Sequence, residues 1–233
     1  MRIRAEFVKG DRARYVSHLD FIRTWERAMR RAGLPVDMSQ GFNPHPKMAP
    51  AASLPVGQTG RSEVIEVTLT EPVEPDDFAR RVNAAMPEGF RVTRAKEVPA
   101  EAESPASSVS GATYVAWLSD ETGAAGTASD GDAAASRPVA EAIERFMSAR
   151  EVRVTRKSDK GEREVDLRPL VFELRWGDGR LTMVLAAGRE GTARPVDVLS
   201  ALGLDPDDWR VERTGLFKAA GPDPVKWTAA WDL

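Results

Sequence analysis

Apolar and polar positions alternate from the first residues of the chain. Ile3, Ala5 and Phe7 fall on one side and Arg2, Arg4 and Glu6 on the other, the period of a half-buried strand. Lys9-Gly10-Asp11-Arg12 reads as a turn. The period changes after Ser17. Leu19, Ile22, Trp25, Met29 and Ala32 recur three and four apart, which predicts one buried stripe on a helix. Ser17 is placed to cap that helix, with Asp20 three residues on, and Gly33 and Pro35 end it. Met48 to Leu54 reads as a strand that Pro50 demotes to an edge. Glu63 to Thr70 alternates again, Pro75 opens a second helix through Phe78, Val82 and Met86, and Phe90 to Val98 is a further strand. Strand, helix, strand, strand, helix, strand is the order of a ferredoxin-like α+β sandwich, here residues 1–98.

Residues 99–137 break the pattern. They are Ala, Ser, Gly and acid, and from Glu97 to Ser136 there are seven acids and no Lys or Arg. Such a segment is expected to be flexible, because it cannot bury enough apolar surface to offset chain entropy. Thr113 to Leu118 is the exception and reads as a strand belonging to a second domain. Beyond it the order returns over 138–218. A helix spans Arg137 to Arg150 and a strand Glu151 to Arg156. A turn at Ser158-Asp159-Lys160-Gly161 leads into strands at Arg163 to Trp176 and Leu181 to Ala187. A helix from Pro195 to Leu202 and a strand from Trp209 to Leu216 complete the set. The expected architecture is therefore α+β, two ferredoxin-like units in tandem, a duplication like that of the RAMP proteins. Residues 219–233 are expected to form an irregular tail.

Composition narrows the chemistry. The formal net charge of −3 predicts no general affinity for polyanions, though a local basic patch is compatible with it. There is no cysteine, which excludes a disulfide framework, a thiolate zinc site, a cysteine nucleophile and an iron–sulfur cluster on this chain. No cofactor is expected on it. No apolar run approaches the length of a membrane span, and MRIRAEFV lacks the apolar core of a signal peptide, so no membrane partner and a cytoplasmic location are expected.

Candidate chemistry converges on Tyr15 to Lys47, which holds both histidines. His18 opens the helix beside Asp20, where a neutral imidazole could accept a proton or ligate a metal; the competing reading is a polar helix-start residue bonded to the adjacent loop. His45 sits in Asn43-Pro44-His45-Pro46-Lys47, where two X-Pro steps stiffen the backbone. That stiffness suits either a binding loop or a rigid turn with His45 packed on Phe42. A metal would need carboxylates such as Asp20 or Asp37 beside both histidines, and no such ligand spacing is recognisable, so none is expected. Arg23, Arg27, Arg30 and Arg31 lie off the helix stripe, as a solvated face or one that meets phosphate or a partner. The Arg-rich hairpin over 150–168 reads either as a salt-bridged ribbon or as one reaching an RNA backbone or a protein partner. Arg168, Arg194 and Arg213 would form an anion pocket if the fold gathers them, and separate ion pairs if it does not.

Three blocks carry a resemblance. Arg14-Tyr15-Val16-Ser17-His18-Leu19-Asp20, Arg30-Arg31-Ala32-Gly33-Leu34-Pro35 and Ser39-Gln40-Gly41-Phe42-Asn43-Pro44-His45-Pro46-Lys47 resemble the N-terminal signature of the radical SAM-linked protein family. Leu54-Pro55-Val56-Gly57, Val165-Asp166-Leu167-Arg168-Pro169 and Arg213-Thr214 continue it. The family is a domain of unknown function, found beside or fused to radical S-adenosylmethionine (SAM) proteins with a B12-binding domain and often near ribonuclease E/G-type and ribosomal-protein genes. The resemblance implies an accessory subunit of such a radical SAM protein. It would hold RNA or a ribosome-related substrate through Arg14, His18, Asp20, Ser39, Asn43, His45 and Lys47, with Arg168, Arg194 and Arg213 as further substrate-binding candidates. The alternative is a stand-alone RNA-binding or RNA-processing protein, in which His18 and His45 would be the catalytic candidates. A small-molecule enzyme is a third reading that no motif favours.

Overall fold

β1 (Arg2–Lys9) is central to its sheet because both of its edges are paired. It runs antiparallel to β3 (Thr59–Thr68) on one side and to β4 (Phe90–Val98) on the other, with Ala5 opposite Ile65 and Ala95. The computed structural model describes residues 1–119, 132–158, 161–188, 190–219 and 227–233. These fall into two units, residues 1–109 with 213–233, and residues 110–212.

In the first unit α1 (His18–Arg31) and α2 (Pro75–Ala85) supply the other half of the core. Ile3, Ala5 and Phe7 pack with Ile65 and Val67, and against Phe21, Trp25, Met29, Phe78 and Val82. The helix stripe differs from the expected one at its start, since Phe21 is buried and Leu19 is 66% exposed. Burying either side chain would contribute about 1.5–3 kcal/mol. Phe21 takes the place because it meets the rings of Phe7 and Phe90, at centroid distances of 5.5 and 6.0 Å. The short β2 (Met48–Pro50) lies on β3, as an edge strand carrying a proline must. The pairing order is β4-β1-β3, with β2 beyond β3.

The other face of this sheet is also covered, which strand alternation alone does not reveal. Arg4, expected on a polar face, is wholly buried. It bonds Glu66 and the main-chain oxygens of Glu103, Ala230, Trp231 and Leu233. Residues 227–233, expected to be irregular, contain β12 (Thr228–Ala229), paired with β11 (Trp209–Lys218). Residues 99–109, expected to begin a flexible insert, contain α3 (Pro105–Ser108) and accept bonds from Arg2 at Pro99 O and Ala102 O. Fixed cations tie down both segments, together with the buried Val109 and Ala230 and the stacking of Trp227 on Phe217.

In the second unit β5 (Gly111–Leu118) pairs antiparallel with β9 (Arg180–Gly188), which pairs with β8 (Val171–Gly177) and β10 (Gly191–Thr192). α4 (Asp132–Ser148) contacts β8, and α5 (Pro195–Ala201) precedes β11, which neighbours β5. The single strand expected over 163–176 is instead β7 (Gly161–Asp166) and β8, parted by a 3-10 turn at Arg168-Pro169-Leu170. Pro169 cannot donate to a ladder, which accounts for the break. β7 pairs with β6 (Arg153–Ser158) as a separate ribbon. The turn expected at 158–161 and the insert from 120 to 131 fall on or partly on residues outside those described. The molecule is a mixed α+β protein, and none of its described helices is long and apolar enough to cross a membrane.

Candidate functional site

Two hollows in the first unit, at opposite ends of α1, contain the two histidines. The first lies under the start of the helix. Phe7, Val16, Phe21, Pro50 and Leu54 make its apolar wall, and Lys9, His18, Ser53 and Glu63 its polar part. Strand parity places the two buried charges there. Lys9 continues the Ile3, Ala5, Phe7 side of β1, and Glu63 the Ile65, Val67 side of β3. Lys9 is 3% exposed and donates to Arg14 O (3.3 Å) and Val16 O (3.1 Å), tying the turn before α1 to the end of β1. Burial pushes its ammonium below the ordinary lysine range, Glu63 opposes that shift, and Arg213 adds to it.

Glu63 accepts from Arg213 Nε at 2.8 Å, and Arg213 also reaches Ser53 O and Ala52 O at 3.0 Å each. Gly60 leaves the room for this carboxylate, since a Cβ there would lie 2.5 Å from Glu63 Oε1. At the mouth, Ser53 Oγ is 3.2 Å from His18 Nδ1. Ser17 Oγ accepts from Asp20 N at 3.2 Å and donates to Asp20 Oδ2 at 2.8 Å, so Asp20 serves the cap and does not face His18. Arg14 lies over the Tyr15 ring, 4.5 Å from its centroid, and bonds Asp11.

The second hollow is an open groove beside the last turns of α1. Glu26, Met29 and Arg30 line one side, and Leu34, Val36, Met38, Pro44, His45 and Pro46 the other. At 1.5 Å per residue, Glu26 to Arg30 lie about 12–18 Å along the helix from His18. His18 and His45 therefore do not share a site.

The loop that carries His45 is stapled at its base. Ser39 N donates to His45 O at 2.8 Å, His45 N to Ser39 Oγ at 2.9 Å, and Lys47 N to Asp37 O at 2.8 Å. Lys47 Nζ bonds Asp37 Oδ2 at 2.6 Å and holds that carboxyl below its usual range. At the tip Gly41 takes a φ of +125°, which favours glycine. Phe42 is fully exposed, so it is not a platform on which His45 packs, and Asn43 is exposed beside it. Arg27 and Arg30 are exposed, whereas Arg23 pairs with Asp20, and Arg31 donates to Ala85 O at the end of α2.

The remaining candidates are held by separate local partners. Arg168 donates to Met147 O and Val171 O, Arg194 lies 3.7 Å from Asp197, and Arg213 is the partner of Glu63. Arg194 and Arg213 thus form ion pairs, and Arg168 is bonded to carbonyls. In the ribbon, Arg153 pairs with Glu151 and Glu164, Arg156 with Asp197, and Lys157 with Glu162. No cluster of three or more metal-ligating side chains occurs among the described residues. Lys9, Ser53 and Glu63 were not among the sequence candidates. The signal for Lys9 and Glu63 was parity, a charge continuing the apolar side of a strand; for Ser53 no signal stood out.

A family model described as an uncharacterized protein conserved in bacteria (DUF2344) matches residues 2–195. The chain belongs to that family. No curated protein matches it.

Proposed function

We propose that this DUF2344 protein is an accessory subunit of a radical SAM enzyme with a B12-binding domain, and that it holds RNA or a ribosome-related substrate for that enzyme. The resemblance of the 14–20, 30–35 and 39–47 blocks to radical SAM-linked proteins motivates the partner. One observation carries the binding role: the 39–47 loop is stapled at its base yet projects Phe42 and Asn43 into solvent, while its Pro44-His45-Pro46 segment lines a groove with the exposed Arg30. An exposed aromatic on a stiff support suits stacking on an unpaired base. The alternation in each unit, with pairing orders β4-β1-β3-β2 and β11-β5-β9-β8, is read here as ferredoxin-like, and the pair as a RAMP-like duplication.

Binding is favoured over catalysis because two histidines in separate hollows do not make one acid–base pair. A stand-alone RNA-binding protein is less well supported, since Arg153 and Lys157 of the ribbon pair with its own acids and Arg156 with Asp197.

Co-purification with the radical SAM protein, with S-adenosylmethionine and RNA present, tests the partnership; no association under any of these conditions ends it. For the binding role, single-stranded RNA affinity should fall as salt rises. Phe42→Ala should weaken it by about 1–3 kcal/mol and leave the melting temperature unchanged. Affinity that ignores both salt and Phe42 would remove RNA from the proposal.

A further inference from the structure

The groove beside the last turns of α1 is lined by an acid and a cation that leave each other unpaired. Glu26 and Arg30 stand four residues apart on one face of the helix, in the order that ordinarily closes an ion pair. Neither side chain has a hydrogen bond or an ion pair among the described residues, and the same holds for the His45 ring on the opposite side. The floor is apolar, with Met29 and Leu34 buried and Val36 and Met38 beside them. An apolar floor with free donors and acceptors at its rim is the lining of a small-ligand site. The volume of about 350 Å³ falls within the range of such sites, roughly 300–1,000 Å³.

The lining selects a ligand. A flat, largely apolar body with donors and acceptors along its edge is a nucleobase. The Glu26 carboxylate supplies only acceptors and the Arg30 guanidinium only donors. At 1.5 Å per residue they stand about 6 Å apart along the helix, so one planar ring can meet both. Guanine has the complementary edge. Its N1–H and N2–H donate together to a carboxylate, and its O6 and N7 accept from a guanidinium. Adenine, cytosine and uracil each lack that adjacent pair of donors. We propose that this groove binds a guanine base, with N1 and N2 on Glu26, O6 or N7 on Arg30, and the ring face on the Met29, Leu34 and Met38 floor. The inference takes its ligand class from the RNA-binding reading above and gives that reading a base preference.

Guanosine 5′-monophosphate is the probe, titrated into the full chain and followed by the imidazole NMR signals. The adenosine, cytidine, uridine and inosine monophosphates are titrated alongside, so that the shared phosphate cancels. The chain has two histidines, one in each hollow, and His18 is the internal control. The expected result is a saturable shift of His45 with His18 unmoved, and an affinity for the guanine nucleotide about tenfold or more above that for adenine, cytosine or uracil. The inosine nucleotide lacks the N2 amino group and should bind more weakly than the guanine one. That difference should vanish in Glu26→Ala, whereas Arg30→Ala should weaken both nucleotides by a similar factor. Equal affinity for all five nucleotides, or a guanine–inosine difference that survives Glu26→Ala, would overturn the site. So would a His45 shift with a leucine-rich amphipathic peptide and none with any nucleotide, which would give the groove to a protein partner. Phe42-dependent RNA binding that ignores guanine content would overturn the groove assignment and leave the RNA reading standing. Selective guanine-nucleotide binding in a chain that holds no RNA would end the RNA reading and keep the site.

Discussion

Glu63 and Arg213 illustrate how much of this molecule depends on single charged residues. Their side chains are almost wholly buried, and the guanidinium is bonded to the carboxylate and to two carbonyls. A buried pair is a weak source of net stability, but removing one member leaves the other charged and unpaired, at about 3–5 kcal/mol. Glu63→Ala should therefore lower the unfolding free energy measured in urea by about 3–5 kcal/mol, through a lower midpoint with the slope preserved. Gly60→Ala tests the same contact without touching either charge, because the added Cβ displaces Glu63 Oε1. It should destabilise more than the few tenths typical of a surface change. A neutral or stabilising Gly60→Ala would mean that the carboxylate has another place to go.

At the scale of elements, the strands and helices with an apolar period were legible in the sequence and the segments held by charge were not. β1, α1 and β4 follow their alternation or stripe, with α1 turned so that Phe21 and not Leu19 enters the core. Residues 99–109 and 227–233 carry little apolar pattern. They are tied to the sheet by Arg2 and Arg4, whose partners lie about a hundred and over two hundred residues away, a link that no local rule contains, and by contacts such as Trp227 on Phe217. The Trp231 ring adds contacts to Arg94 and Lys96, 4.1 and 4.8 Å from its centroid. Such cation–π contacts contribute roughly 0.5–1 kcal/mol each. Arg4→Met should release the last segment while leaving α1 in place. Amide hydrogen exchange would then accelerate at Ala230 and Asp232, which now donate to Leu216 O and Ala229 O, and stay slow at Phe21 and Trp25. Uniform acceleration would show that Arg4 supports the whole unit and not one element.

The whole molecule sums these local fields in its stability against pH, and the half-buried Glu6 and the buried Lys9 set opposite limbs. The site was half legible for the same reason: the histidines are visible in the sequence, but which charges are buried beside them depends on how the strands pair. Glu6 is pushed up by burial, and this is outweighed by bonds from Arg94, Ser62 and Thr93, so its folded pKa lies below the ordinary carboxyl value. Its contribution to stability is present above the unfolded pKa and is lost as pH falls through the folded one. Lys9 behaves in the opposite sense. Its folded pKa is lowered, so between that value and the ordinary 10.5 the unfolded chain binds more protons and stability rises with pH. The stability of wild type minus that of Lys9→Met should therefore increase from neutral towards pH 10.5 in chemical denaturation. Glu63 raises the lysine and Arg213 lowers it, so Glu63→Gln should move the onset of that rise to lower pH. A difference curve that is flat with pH would place the Lys9 ammonium in contact with water rather than against the carbonyls of Arg14 and Val16.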